Sequence, residues 1–255
     1  MNFNKKRFNL FTSNAYTQVI LKIIKVFLIA TLCLILLAII AILFNNGKMP
    51  SCSIVICLMV GSLLAIKQEF GSLKVVGFTS KNVYKHISYG LALCIIYYLT
   101  IIGINLLLGY SVDIKSLSNI EITVTLINYI IVAFSEEILF RGYIFKLVYK
   151  QTHVANKAVI IQAIIFSAIH IVNPTYENLL EFIYALIIGI ILGFLVVQQQ
   201  NLWGAIVFHI LFNCVNEILI LNKSLYVVLT GFVIVGLFLI SVYKKKQIHL
   251  IKNKN

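Results

Sequence analysis

The chain has 255 residues, of which 61% are hydrophobic and only 11% are charged, and its formal net charge is +13. A soluble domain of this length would carry charge on about a quarter of its residues, so the composition excludes an ordinary soluble protein and indicates a membrane protein with several spans. The apolar runs are long enough for transmembrane helices and do not resemble the short alternating strands of a membrane barrel.

Eight apolar runs follow one another along the chain, separated by short polar or basic segments. They are predicted as spans at about 26–45, 51–66, 87–109, 122–149, 157–172, 178–198, 202–221 and 225–243. The first run is too long for the core of a signal peptide and is expected to remain as an uncleaved span. The sequence therefore predicts an all-α, polytopic membrane helix bundle of about eight transmembrane helices.

Basic residues are concentrated in alternate connecting segments. With both termini placed in the cytoplasm, the inner segments hold 18 of the 21 Lys and Arg residues. Such an asymmetry is typical of positive-inside sorting and predicts a multi-pass cell-membrane protein with cytoplasmic termini. Contact with anionic lipid accounts for the basic charge, so membrane lipid is an expected partner and nucleic acid is not. The lysine-rich composition is typical of an AT-rich genome and indicates a bacterial cytoplasmic membrane.

Three charged residues interrupt the fourth run where hydrocarbon is expected: Glu136, Glu137 and Arg141. A charge near the bilayer centre costs about 2.5–3.5 kcal/mol on insertion scales, so it is usually kept for function. Glu137 and Arg141 are four residues apart and can pair on one helix face, whereas Glu136 is rotated by roughly 100°. We expect a structural ion pair beside a second carboxylate that can act as a base. A helix-locking ion pair alone would not explain Glu136.

Polar residues of two further runs can complete a site with these carboxylates. A helical hairpin around 150–157 would place His170, in the fifth run, and Glu136 at matched depth, about 20 Å from the turn. His209 and Asn213, in the seventh run, are four residues apart and share one helix face. Either could be only a helix–helix hydrogen bond, but together they predict a polar pocket opposite the acidic helix.

Two chemistries fit this set of residues. In the first, Glu136 and His170 activate a water that attacks a peptide carbonyl, while His209 and Asn213 stabilise the oxyanion. In the second, His170, His209 and Glu136 hold Zn²⁺, which acidifies the water. The H-E-x-x-H signature of common zinc proteases is absent from the sequence. A metal-independent mechanism and a zinc site both remain open at this point.

The three motifs together resemble a known family. They are E-E-x-x-x-R at Glu136, F-x-x-x-H at Phe166 and H-x-x-x-N at His209, in this order on separate apolar runs. This arrangement is similar to the CPBP family, which comprises CAAX-processing endopeptidases and the bacteriocin-processing and immunity proteins of the Abi group. The resemblance covers about residues 122–220. It implies an intramembrane endopeptidase, in a family that is often called a metalloprotease although a metal-free, glutamate-activated water is also argued for it.

The resemblance also implies a role for each motif. Glu136 and His170 would activate water, and His209 with Asn213 would form the oxyanion site. The ion pair of the first motif would hold the geometry. The substrate would be a membrane-associated peptide or protein, and in a bacterium removal of a pheromone or bacteriocin leader is favoured over cleavage of prenylated proteins.

One membrane domain with three parts is expected. Residues 1–121 supply helices without a recognised motif, 122–220 form the catalytic core, and 221–255 form the last helix and a basic cytoplasmic tail. A non-catalytic immunity or surface-display factor is the alternative function. An ion- or proton-coupled transporter would also use intramembrane acids and histidines, but its Gly- or Pro-interrupted helices are not seen, because both prolines lie at the ends of runs.

Overall fold

The computed structural model describes residues 13–50, 52–171 and 176–252, with side chains over 16–50, 52–171 and 179–241. The helices are α1 (Ser13–Phe44), α2 (Ser53–Phe70), α3 (Val83–Leu107), α4 (Asn119–Glu136), α5 (Phe145–Thr152), α6 (Ala155–Ala168), α7 (Tyr176–Gln199), α8 (Trp203–Ile218) and α9 (Leu225–Lys252). A π-helical stretch, Glu137–Ile144, joins α4 to α5 and is called the π segment below. Two short strands, β1 (Asp113–Ile114) and β2 (Leu219–Ile220), pair antiparallel.

Each of the eight apolar runs contains a helix, so the prediction of a helical bundle is confirmed for the described residues. Five helices are long and apolar enough to cross a membrane: Tyr16–Phe44, Ser53–Phe70, Val83–Leu107, Asn119–Thr152 and Leu179–Gln199. The other apolar helices, Ala155–Ala168, Trp203–Ile218 and Leu225–Ser241, are shorter. The number of eight spans, the cytoplasmic termini and the division into three parts stay predictions.

The helices pack as two adjoining apolar cores, and large apolar side chains also cover the outside of the bundle. One core gathers side chains of α3, α7, α8 and α9, and the other those of α1, α2, the π segment, α5 and α6. Phe78 and Phe134 pack against both cores. On α1, Leu28, Leu32 and Leu36 are each more than half exposed. An apolar exterior of this kind suits a lipid environment, where every backbone polar group must be paired within the helices.

The α3–α8 contact brings two backbones together and seats α8. Gly90 of α3 faces Gly204 of α8 so closely that a Cβ atom on Gly90 would overlap the carbonyl oxygen of Gly204. Small residues at such crossings are typical of helix packing in membranes. Because Gly90 has no side chain, the first turn of α8 can pack directly against the backbone of α3.

Replacing Gly90 with alanine is expected to destabilise the protein by about 1–3 kcal/mol, because the added methyl group forces the helices apart. Gly103→Ala on the same helix is the matched control, since its Cβ would meet no atom within 4 Å. That control should be neutral or slightly stabilising. Unfolding of the purified variants in detergent measures both effects, and equal stability of the two variants would contradict the close crossing.

The segment between α3 and α4 also pairs with the segment between α8 and α9. Asp113 pairs with Ile220, and Ile114 pairs with Leu219. Lys115 forms a 2.6 Å ion pair with Glu217 of α8, and the hydrogen bond to that carboxylate raises the pKa of Lys115 above its ordinary value. The two helices that carry the acidic and the histidine motifs are thereby held together at this end of the bundle.

Candidate active site

The first motif lies in one continuous helical stretch, Asn119–Thr152. Its start is fixed by a capping box in which the Ser118 side chain accepts from the Glu121 backbone and the Glu121 side chain accepts from the Ser118 backbone. The α-helical part ends at Glu136, and the π segment begins at Glu137. Single π turns inside α-helices widen the helix and often occur at functional sites. The apolar pattern predicts an uninterrupted α-helix here, and the π segment corrects that prediction.

Glu137 and Arg141 form the expected ion pair. Arg141 Nη1 donates to Glu137 Oε1 at 2.8 Å, and both side chains are 0% exposed. The pair therefore forms although the backbone between the two residues is π-helical rather than α-helical. Because both charges are removed from solvent, each depends on the other for compensation.

His209 joins this pair to the second carboxylate. Its Nδ1 lies 2.8 Å from Glu137 Oε1, and its Nε2 lies 3.7 Å from Glu136 Oε2. A carboxylate held by a guanidinium can only accept, so the Nδ1–H group donates to Glu137. The contact with Glu136 is too long for a direct hydrogen bond, but one water oxygen could contact both atoms. Glu136 is 18% exposed, which leaves it the more accessible of the two carboxylates.

The position of α8 explains how His209 reaches this level. Leu202, which precedes α8, donates its backbone N–H to the Gly77 carbonyl at 2.9 Å and lies next to Gly142 of the π segment. The N-terminus of α8 is thus level with the π segment. Consequently His209, early in α8, meets residues in the middle of the Asn119–Thr152 stretch.

Phe166 lies next to residues of all three motifs. The sequence alone indicated no role for this phenylalanine. The Arg141 Cζ atom lies 4.3 Å above the centre of its ring. The rings of His170 and His209 meet it edge-on, with centroid distances of 4.8 Å and 6.3 Å. A guanidinium above an aromatic face is attracted by the ring quadrupole, most strongly when both are desolvated. The sequence did contain a signal for this contact. It has an arginine in one apolar run and a motif phenylalanine in the next, and such residues can stack.

His170 lies beyond the helix on which it was expected. α6 ends at Ala168, and His170 is in the following turn, half-buried, with its backbone N–H donating to the Ser167 carbonyl. Its Nδ1 lies 2.8 Å from the Phe166 carbonyl oxygen. Because that oxygen only accepts, Nδ1 carries the proton and Nε2 is left available. Among the described side chains its partner is Phe166, and it makes no direct contact with Glu136.

Asn213 follows His209 by one turn on the same face of α8. Its side chain is half-buried and makes no hydrogen bond to any residue in the part of the chain that the structure describes. A carboxamide in this condition has both donors available for a ligand. The expected imidazole–amide face is therefore present.

Three buried polar atoms of the ion pair lack a hydrogen-bond partner within the described ranges: Glu137 Oε2, Arg141 Nε and Arg141 Nη2. Buried polar groups are normally paired with protein or ordered water. Their convergence at the motif residues indicates that water or a bound group completes this network.

The expected zinc donors do not form a ready-made metal site. Across residues 16–171 and 179–241, no group of three His, Cys, Asp or Glu side chains is placed to hold a metal ion. Each histidine has its Nδ1 on an oxygen acceptor, the Phe166 carbonyl for His170 and Glu137 for His209. A histidine that binds a metal through Nε2 commonly has its other nitrogen paired in this way, so the Nε2 atoms remain available to a metal.

Comparison with known proteins agrees with the motifs. Residues 118–215 match the family model described as type II CAAX prenyl endopeptidase Rce1-like. The matched segment begins at the N-cap of α4 and includes all six expected site residues. No curated protein matched the chain. Over this segment, which is less than half of the chain, the protein is similar to the CAAX protease family that the three motifs resemble.

Proposed function

We propose that the protein is an intramembrane endopeptidase that hydrolyses a peptide bond in a membrane-associated peptide or protein by a glutamate- and histidine-activated water. The observation that carries the proposal is the placement of His209 between two carboxylates, with Nδ1 on Glu137 and Nε2 facing Glu136. A buried ion pair alone would leave the second carboxylate unexplained. A partly exposed acid next to an oriented imidazole supplies a base and a donor at one point.

In the proposed reaction, Glu136 accepts a proton from water as the oxygen attacks the peptide carbon. The developing oxyanion accepts from the Asn213 amide and from His209 when Nε2 carries a proton. Donors placed where charge develops stabilise the transition state more than the ground state. Glu136 then delivers its proton to the leaving amine. His170 keeps Nε2 free and assists proton movement from its position beside Phe166.

The Glu137–Arg141 pair serves as the support of His209. One oxygen, Glu137 Oε1, accepts from both Arg141 and His209, so the guanidinium fixes the carboxylate and the carboxylate fixes the imidazole. A hydrogen bond of this kind sets which ring nitrogen faces the substrate. Preorganisation by such supporting groups limits the motion needed during reaction.

The proposed substrate class is supported by the apolar surroundings and by the similarity of residues 118–215 to prenyl endopeptidases. The bundle exposes apolar side chains, which suits a peptide that is itself held in the membrane, such as the leader of a pheromone or bacteriocin. Mass spectrometry of small peptides from cells carrying the wild-type chain or Glu136→Gln tests this. A peptide shortened only by the wild type supports the proposal. Identical peptide profiles, with protection of the cell retained by Glu136→Gln, would support a non-catalytic immunity factor instead.

Zinc is tested separately. Elemental analysis of the purified wild type and of His170→Ala compares their metal content. Stoichiometric zinc that is lost in the variant would show that the donors rearrange around a metal and would replace the metal-free route. Hydrolysis that persists in metal-stripped protein would support the route described above.

Asn213→Ala is expected to lower kcat by about 10²- to 10³-fold, the usual effect of removing one oxyanion donor. Its stability should change little, because the Asn213 amide has no hydrogen bond to lose within the described residues. Asn216→Ala, on the same helix, is the matched control and should keep full activity. Peptide hydrolysis and thermal unfolding are measured on the same preparations. An Asn213→Ala enzyme with wild-type kcat would remove this residue from the oxyanion site.

A further inference from the structure

Ser135 directly precedes the two motif carboxylates. Its side chain is hydrogen-bonded to α2, a helix outside the matched segment. Its side chain is 1% exposed, and its hydroxyl donates to the Val55 carbonyl of α2 at 2.8 Å. Serines inside helices usually return their hydroxyl to a carbonyl of the preceding turn. Ser62 and Ser167 do so, donating to Leu58 and Ile164. The Ser135 hydroxyl instead donates to a carbonyl of another helix, α2.

The location of this bond matters because the backbone changes its geometry immediately afterwards. α4 ends at Glu136, and the π segment covers Glu137–Ile144. A π turn accommodates one extra residue, and relaxation to a regular α-helix would rotate the following side chains by roughly 100° per residue. Such a rotation would carry Arg141 and Glu137 out of their positions. The π segment therefore needs external contacts that favour it over the α form.

α2 provides such contacts on both sides of the π segment. Before it, Val55 accepts from Ser135. At its far end, Phe70 meets Tyr143 edge-on at 6.1 Å, and Glu69 forms a 2.9 Å ion pair with Lys150. The ion pair is exposed on the lysine side and adds little stability. The buried Ser135 bond is the contact nearest to the carboxylates.

We infer that Ser135 is a positioning residue, whose hydrogen bond to α2 holds the backbone in the π geometry that aims Glu136 and Glu137 at His209. The serine does not touch the reacting atoms and acts through its neighbours. The inference also gives α2, which lies outside residues 118–215, a part in shaping the site. Its kinetic consequence rests on the proposed function, while its structural consequence does not.

Hydrogen exchange of the full-length protein in detergent, followed by mass spectrometry, tests the structural consequence. In Ser135→Ala, amides of residues 136–144 are expected to exchange about two- to tenfold faster than in the wild type, which corresponds to the loss of one net hydrogen bond. Ser62→Ala is the matched control, because Ser62 is equally buried and bonds within its own helix. It should leave these amides unchanged. Should the alanine variant fail to fold, Ser135→Cys, which has only a weak donor, takes its place under the same criterion.

The kinetic consequence is a fall in kcat of about tenfold at unchanged KM, with recovery in Ser135→Thr, which restores the hydroxyl. Wild-type exchange rates over 136–144 in Ser135→Ala would overturn the inference whatever the activity. If the wild type and Glu136→Gln prove equally unable to cleave peptides, the proposed function fails, while faster exchange in Ser135→Ala would still support the positioning role.

Discussion

Glu136→Gln is expected to lower kcat by about 10³-fold or more, within the range that positioned general bases contribute, and to leave thermal unfolding unchanged. The amide keeps the size and polarity of the side chain but cannot take a proton from water. Stability should be preserved because the nearest charged contact of Glu136 is the 3.7 Å approach to His209. Peptide hydrolysis and unfolding in detergent, measured on one preparation, separate the two effects.

Glu181→Gln is the matched control for this variant. Glu181 is an exposed carboxylate on α7, so the same chemical change there should leave kcat and stability as they are. If Glu136→Gln retained wild-type kcat, Glu136 could not be the base. If it lost activity only together with its fold, the carboxylate would have a structural role.

Arg141→Met is expected to lower the free energy of unfolding by about 3–5 kcal/mol, because it leaves a buried carboxylate without its partner. The guanidinium and Glu137 are both fully buried, so solvent cannot replace the lost charge. The double variant Glu137→Gln/Arg141→Met removes both charges and should recover most of that stability. Chemical or thermal unfolding in detergent measures the three proteins side by side.

Activity should not recover with stability in the double variant. His209 loses the charged acceptor that fixes its Nδ1–H, so kcat stays low although the fold is restored. A double variant no more stable than Arg141→Met would show that the buried charges are not each other's main compensation. A fully active double variant would show that the pair does not orient the imidazole.

The sequence was sufficient to select the candidate residues because charges in apolar runs are costly and therefore conspicuous. Glu136, Glu137 and Arg141 stood out for this reason, and the four-residue spacing correctly indicated which carboxylate pairs with the arginine. The matched depth of Glu136 and His170 stays a prediction: Phe166 contacts both Arg141 and His170, but His170 makes no direct contact with Glu136. Hydropathy likewise located all eight helical runs.

Features that depend on neighbouring helices were not predictable from the local sequence. Within residues 137–144 only Gly142 disfavours an α-helix, which does not predict a π segment, and this stretch packs against α2, α6 and α7. The apolar pattern continues past Ala168, so periodicity could not show that α6 ends there. Hydropathy also missed the helical residues that precede the first apolar run, since α1 already includes Lys22 and Lys25.

The crossing of Gly90 and Gly204 means that the matched segment, residues 118–215, is smaller than the part of this chain that must fold to place the site. α8 carries both His209 and Asn213, yet it packs against Gly90 of α3, which precedes the matched residues. A truncated protein reduced to residues 118–215 would keep every motif and lose the surface that orients them. At position 90 the backbone shape of α3, rather than the chemistry of a side chain, decides how α8 is placed.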